Sequence, residues 1–384
     1  MLIHFAVCGI GLGHVTRSVE VAKELSLRGH RIFFSTYDQA YSYLVKHGLP
    51  TAKVLKVGYG VGEDGTISVK KTILNNVWLP VLFSAQTLAE SKLINDVDAD
   101  VVVSDTRASA TLAGKLLRKP VATIINQYNL RLVTNKYRRF ASLVERTIQA
   151  PQKIWDLSDV IIVPDLPPPF TISESTLQFS KKAAEKAVYT GPLIRPVNRE
   201  ESKIREIREE LGASGKPLVL ISVSGGHSEK KTLVEKILMI AETFDDEYVY
   251  VLSAADVSSN VVRKVGPLIY MSWVPDLDAY IKAADAVVFR GGLTLLSKCL
   301  LYGRKMLIIP TPLHGEQLSN AAKAEKLGVA KILHQHEISA EKFRKDVSQV
   351  LNDEEMVGNL SHLRSVLERC GGVEAAAATV ESLY

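Results

Sequence analysis

Short runs of β-branched and aliphatic residues alternate with stretches of helical periodicity along almost the whole chain, which restricts it to parallel sheets flanked by helices. Strands are expected at 2–7, 31–35, 101–104, 121–125 and 160–163, with helices at 16–28, 81–95 and 108–118. The pattern then restarts. Strands at 218–223, 248–252, 286–289 and 306–309 alternate with helices at 230–243, 277–284, 293–302 and 316–327. Between the two sets, YTGPLIRPVNRE carries Gly191, Pro192 and Pro196, which interrupt both periodicities. The 384 residues therefore read as an α/β chain of two doubly wound, Rossmann-like domains facing across a cleft. The expected boundaries are 1–190 and 200–355, with a linker at 191–199 and C-terminal helices at 356–384 packing back on the first domain.

Composition narrows the class of protein. Apolar residues at 46% and charged residues at 23% exclude a disordered or fibrous chain. Cys8, Cys299 and Cys370 are scattered and odd in number, so neither a disulfide framework nor a structural zinc site is expected. The first residues lack a basic leader and a cleavage site, and no uncharged apolar run approaches the roughly 20 residues of a membrane span. A cytoplasmic protein is the expectation. Net charge is +5, unevenly placed: residues 1–195 hold 24 Lys and Arg against 16 Asp and Glu, whereas the remainder holds 23 against 26. The basic half suits an anionic partner.

Ligands of open parallel sheets bind at the carboxyl ends of strands, so each strand–glycine–helix junction is a candidate site. The first junction, GIGLGHVTR, holds Gly9, Gly11, Gly13, His14 and Arg17. It departs from the dinucleotide fingerprint, because His14 stands where the third glycine belongs and the second strand has no acid until Asp38 in the next loop. A neutral histidine facing a ligand can act as a general base, while a capping or packing role is the competing reading. The second junction, VSGGHSEKK, offers Ser224, Gly225, Gly226, His227 and Ser228 before a helix whose free N–H groups suit a phosphate. The third, VVFRGGLTLLSK, repeats the arrangement with Arg290, Gly291 and Gly292. Two such loops in one domain suit a diphosphate; tight turns needing glycine only for shape are the alternative. Beyond them, His314, Glu316, Gln317 and Asn320 gather polar groups fit either for sugar hydroxyls or for capping a helix.

The stretch from SWVPDLDAYIKAADAVVFRGG through LIIPTPLHGEQLSNAAKAEKLGVA resembles the donor-binding half of GT-B glycosyltransferases, specifically family 28 (MurG-like) and the UDP-glycosyltransferases. The GxGxGHxxR start, the GPLIRP linker and the SGGHS loop fall in the matching order. This resemblance implies an N-terminal acceptor domain, a C-terminal domain for a nucleotide-diphosphate sugar, inversion at the anomeric carbon, and neither metal nor cofactor. It further implies His14 as base and Asp105 as the carboxylate orienting it. Ser224, Gly225, Gly226, His227, Gly291 and Gly292 match the diphosphate loops, with Arg17 and Arg290 adding charge. Trp273 and Val274 lie where main-chain groups meet the nucleotide base, and Glu316 and Gln317, after His314, match the pair that holds sugar hydroxyls. One position departs: Lys298 stands where the family carries a ribose-binding glutamate, and an ammonium has no acceptor. UDP is the expected nucleotide; either its ribose is held differently, or the nucleotide or its sugar carries extra negative charge near Lys298.

Residues 131–155 hold six Lys and Arg and one Glu among Leu132, Phe140, Leu143, Val144, Ile148 and Trp155. Basic amphipathic segments of this kind lie on anionic membranes. With the apolar run 78–83, they suggest peripheral contact with the inner face of the cell membrane and a lipid or lipid-linked acceptor; ordinary surface and core is the alternative. No stacking platform or helix-turn-helix accompanies the patch, so nucleic acid is not an expected partner. A nucleotide-sugar hydrolase that turns the same histidine on water is the alternative activity. A nucleotide-sugar 2-epimerase and a non-catalytic binding protein are further alternatives.

Overall fold

A computed structural model describes residues 1–56, 79–129, 150–196, 201–224, 227–256 and 259–384. Of residues 79, 150, 151 and 227–229 it describes the backbone only. Among the described residues the chain divides into two compact units, one of residues 1–195 with Leu367–Tyr384, the other Pro196–Val366.

The first unit is built on a seven-stranded sheet, entirely parallel. Its strands are β1 (Leu2–Val7), β2 (Arg31–Thr36), β3 (Thr51–Lys53), β4 (Val101–Asp105), β5 (Val121–Ile124), β6 (Val160–Val163) and β7 (Ala187–Tyr189). They lie in the order β3-β2-β1-β4-β5-β6-β7. Helices cover the sheet, so the central strands are buried on both sides and read as continuous Val and Ile runs rather than alternating ones. The order reverses between β1 and β4, where loops leaving neighbouring strands diverge and open a crevice at their carboxyl ends.

The second unit has its own seven strands: β8 (Leu218–Ser222), β9 (Val249–Ser253), β10 (Val262–Val265), β11 (Leu268–Met271), β12 (Ala286–Phe289), β13 (Lys305–Ile308) and β14 (Ala330–Ile332). The order is β10-β11-β9-β8-β12-β13-β14, parallel except for the β10–β11 hairpin. Its reversal falls between β8 and β12, so the second and third glycine junctions leave neighbouring strands at the same edge.

Two boundaries differ from the sequence reading. Gly191–Arg195 belong to the first unit rather than to a linker, because Gly191 N–H donates to the Asp165 carbonyl at 3.1 Å and Arg195 pairs with Glu24. The helix Glu354–Glu368 stays with the second unit as far as Val366, and only the segment from Leu367 joins the first. There the helix Gly372–Glu381 packs Val373, Ala376, Ala377 and Val380 into the core that Val15, Val19, Ala22 and Leu25 contribute from the helix Gly13–Leu27.

Candidate functional site

The first glycine loop connects β1 to the helix Gly13–Leu27. Gly9 is required there by a close approach: a Cβ on it would lie 2.2 Å from the Tyr37 carbonyl oxygen. Gly11 turns the loop at φ +73°, and Gly13 opens the helix. His14, Arg17 and Ser18 are then spaced three and four residues apart, so they share one helical face. That face meets Asp105, the last residue of β4, which stands opposite Val7 in the adjacent strand.

Asp105 is fully buried and surrounded by donors. His14 Nδ1 lies 2.8 Å from Oδ1, Arg17 Nη2 2.5 Å from Oδ1, and Arg17 Nε 2.7 Å from Oδ2. Ser18 Oγ donates to Oδ2 at 2.8 Å and Thr106 Oγ1 to Oδ1 at 3.1 Å. Burial pushes the carboxyl upward, but the Arg17 charge, His14 and their hydrogen bonds outweigh it and hold Asp105 well below the usual carboxylate range. An ionised carboxylate only accepts, so His14 donates Nδ1–H and keeps the lone pair on Nε2. The His14 side chain is 24% exposed, so a substrate can reach it. Arg17 Nη1 also donates to Asn126 Oδ1 at 2.9 Å, tying the dyad to the end of β5. Asn126, Ser18 and Thr106 are site residues that the sequence did not disclose: Asn126 meets Arg17 from the end of a different strand, Thr106 depends on a turn, and Ser18 is an ordinary helical serine until Asp105 is placed against its face.

In the second unit, Ser224 is exposed just past β8. Gly225 and Gly226 lie outside the described residues, as do the side chains of His227 and Ser228. The helix His227–Ala241 begins directly after the glycines. Past β12, Arg290 is buried and its Nη1 donates to Gln335 Oε1, while Gly292 precedes the helix Leu293–Tyr302. Gln335 is anchored in turn, since Lys236 Nζ donates to its carbonyl at 3.0 Å. Val274 buries its side chain, leaving its main chain as the polar element, and Trp273 beside it is half-buried.

The polar cluster near the helix Gly315–Lys326 caps that helix and ties it to the neighbouring loops. His314 caps the helix by accepting from the Gln317 N–H at 3.4 Å. Gln317 Oε1 accepts from the Thr311 N–H at 2.8 Å, and buried Asn320 donates to the Gly291 carbonyl at 3.1 Å. Glu316 occupies the first helical turn and is half-buried. Lys298 has a partner that the sequence did not reveal: its Nζ lies 2.6 Å from Asp278 Oδ2, and the Tyr302 hydroxyl donates to Asp278 Oδ1 at 2.9 Å.

The suggested membrane surface is only partly described. Residues 131–149 and Trp78 lie outside the described residues. Trp155, named with them from its sequence neighbourhood, instead packs in the core of the first unit with Tyr128 and Ile161, and Phe83 packs against the same cluster. Val81 is exposed. No helix among the described residues is long and apolar enough to cross a membrane.

Comparison with known proteins agrees with this architecture. An uncharacterized glycosyltransferase of Methanosarcina mazei is 29% identical over 388 aligned positions, covering 99% of this chain and 98% of that one. A UDP-N-acetylglucosamine–N-acetylmuramyl-(pentapeptide) pyrophosphoryl-undecaprenol N-acetylglucosamine transferase of Thermoanaerobacter is 25% identical, covering 97% of this chain and 96% of its own. Among solved structures, the glycotransferase of kitacinnamycin superposes with a TM-score of 0.70 at 18% identity, over 100% of this chain and 98% of that one. The two parallel-sheet units are those of the GT-B fold. The profile described as glycosyl transferase family 1 matches residues 1–350, and the chain belongs to that family as a GT-B glycosyltransferase.

Proposed function

We propose that this glycosyltransferase moves a sugar from a nucleotide-diphosphate sugar, with UDP as the nucleotide, to a hydroxyl acceptor, inverting the anomeric centre without a metal ion. The observation that carries the proposal is the His14–Asp105 contact of 2.8 Å at the reversal point of the first sheet. As the acceptor oxygen attacks the anomeric carbon, its proton passes to His14 Nε2, and Asp105 stabilises the imidazolium that forms. The bond from the anomeric carbon to the diphosphate breaks in the same displacement, which inverts the centre. Charge on the departing diphosphate is met by the N-termini of the helices His227–Ala241 and Leu293–Tyr302 and by Arg290. Trp273 and the Val274 main chain face the base in this reading, and Glu316 with the Gln317 amide nitrogen holds sugar hydroxyls. A lipid-linked acceptor is supported by the undecaprenol-linked substrate in the relative's name and by the basic charge of residues 1–195.

A thermal-shift screen of UDP, GDP, dTDP and their sugars tests the donor side, because a ligand that binds the folded state raises the melting temperature. UDP-sugars are expected to give the largest shift. In transfer assays with the stabilising donor, His14→Ala is expected to lower kcat by about 10²- to 10⁴-fold, and EDTA is expected to have no effect. Full activity in His14→Ala removes the base assignment, and sugar release without any acceptor would reassign the reaction to hydrolysis. Lys298→Glu is expected to change donor preference; unchanged preference would leave Lys298 as a tie to Asp278 alone.

A further inference from the structure

Directly after Asp105 the backbone enters a conformation that its residue disfavours. Thr106 has φ +56°, in the left-handed region, and a β-branched residue there is a genuine outlier that persists only where its surroundings over-determine it. The Thr106 hydroxyl is one of the donors to Asp105 and lies 3.4 Å from His14 Nδ1, so the strained turn aims at the dyad.

What holds the turn is a buried polar chain beneath it. Ser104 Oγ donates to the Arg107 carbonyl at 2.7 Å and closes the turn from below. The Arg107 side chain donates to the Ser35 carbonyl at 3.2 Å, stacks 5.6 Å from the centre of the Tyr37 ring, and pairs with Glu90 through Nη2. Glu90 Oε2 lies 2.9 Å from His4 Nε2, and Ser35 Oγ donates to the same carboxylate at 2.8 Å. His4, Ser35 and Glu90 are fully buried and Arg107 nearly so. Burial alone would raise the Glu90 carboxyl, but Arg107, His4 and Ser35 reverse that and lower it to about 2. A buried ion pair is a poor way to add stability compared with well-packed apolar residues, so its presence calls for another explanation. None of these four residues bonds to His14 or Asp105. Arg107 instead joins the turn after Asp105 to the end of β1 through the Val7 carbonyl at 3.5 Å and to β2 through the Ser35 carbonyl, while Glu90 ties its guanidinium to His4 and Ser35.

We infer that Glu90 and Arg107, supported by His4 and Ser35, are positioning residues that hold Thr106 in its strained turn and thereby fix Asp105 and the tautomer of His14. The inference deepens the proposed general-base reading and rests on it for its consequence in catalysis. Its structural half is tested without substrate. In selectively ¹⁵N-histidine-labelled protein, with the His14 signal assigned by its loss in His14→Gln, the full chain is expected to show one locked tautomer with Nδ1 protonated. Glu90→Gln and the milder Ser35→Ala are expected to shift that signal toward a mixture while circular dichroism remains native. Thr106→Gly is expected to do the same with no fall in melting temperature, since it removes the strain. A folded Ser35→Ala or Glu90→Gln protein whose His14 signal is identical to the parent's overturns the inference.

The catalytic half uses the donor from the thermal-shift screen. Glu90→Gln is expected to lower kcat by about 10- to 100-fold with little change in KM, yet to add almost nothing to the loss already caused by Asp105→Asn. A full multiplicative loss in the double variant would show that Glu90 acts through general structure and not through the dyad. Failure of the base reading is distinguishable: His14→Ala would then retain activity, whatever the tautomer measurements show.

Discussion

Asp105 accepts from His14, Arg17, Ser18 and Thr106, the first three from one helix and the last from the turn that follows β4. His14, Arg17 and Ser18 come from successive positions of one helical face, so a local motif was enough to single out the histidine. Asp105 was legible only as an acid at a strand end. Arg107 and Glu90 were invisible, because in sequence they are ordinary charges and only the sheet brings them beneath the site. The two buried carboxylates carry a pH signature. Asp105 and Glu90 both titrate lower in the folded protein than in the unfolded chain. The stabilisation they contribute is therefore complete above the unfolded value of roughly 4 and is lost as pH falls below it. For Glu90 the loss runs down to about 2. Urea unfolding at pH 6 and pH 3 is expected to show a smaller decline for Glu90→Gln than for the parent. An equal decline in both would mean that Glu90 keeps an ordinary carboxylate affinity for protons when folded.

Among the elements, the central strands were legible because burial on both faces demands long aliphatic runs, and the helices between them because one face must be apolar. The elements that escaped are short or peripheral. β3 and β14 have three residues each, and β10, with the sequence VRKV, is an exposed edge strand without the expected apolar alternation. The glycine junctions were legible as glycines but not in their different duties. Gly291 has φ +88°, and a Cβ on it would lie 2.9 Å from Ile308 Cγ2 and 3.1 Å from the Gln317 carbonyl oxygen. Gly292 has φ −64° and open space around its Cβ position. Gly291→Ala is thus expected to destabilise the second unit by roughly 1–3 kcal/mol, whereas Gly292→Ala is expected to leave stability unchanged and to affect only donor binding. Chemical denaturation and a donor titration of both variants separate the two duties. Equal stability losses would contradict the assignment of the strained turn to Gly291 alone.

On the scale of the whole molecule, the restart of the strand–helix pattern announced two units, but the path of the chain at its end was legible only in outline. The final helix returns to the first unit because its apolar stripe, Val373, Ala376, Ala377 and Val380, fits the helix Gly13–Leu27, and the small alanines permit the close approach. Polar ties fix the arrangement: Arg28 Nη1 lies 2.7 Å from Glu381 Oε2, and His30 Nε2 lies 2.8 Å from Glu381 Oε1. The helix thus supports the same element that carries His14 and Arg17, although it lies more than 350 residues away in sequence. Deleting residues 371–384 uncovers Val15, Val19 and Leu25, and the exposed apolar surface should loosen that helix before anything in the second unit. Hydrogen exchange of the truncated chain is expected to show lost protection across Gly13–Leu27 with Leu218–Ser222 unchanged, together with a fall in transfer activity. If protection in Gly13–Leu27 matched that of the full chain, the C-terminal helix would be an appendage of the first unit and not part of what holds its catalytic helix in place.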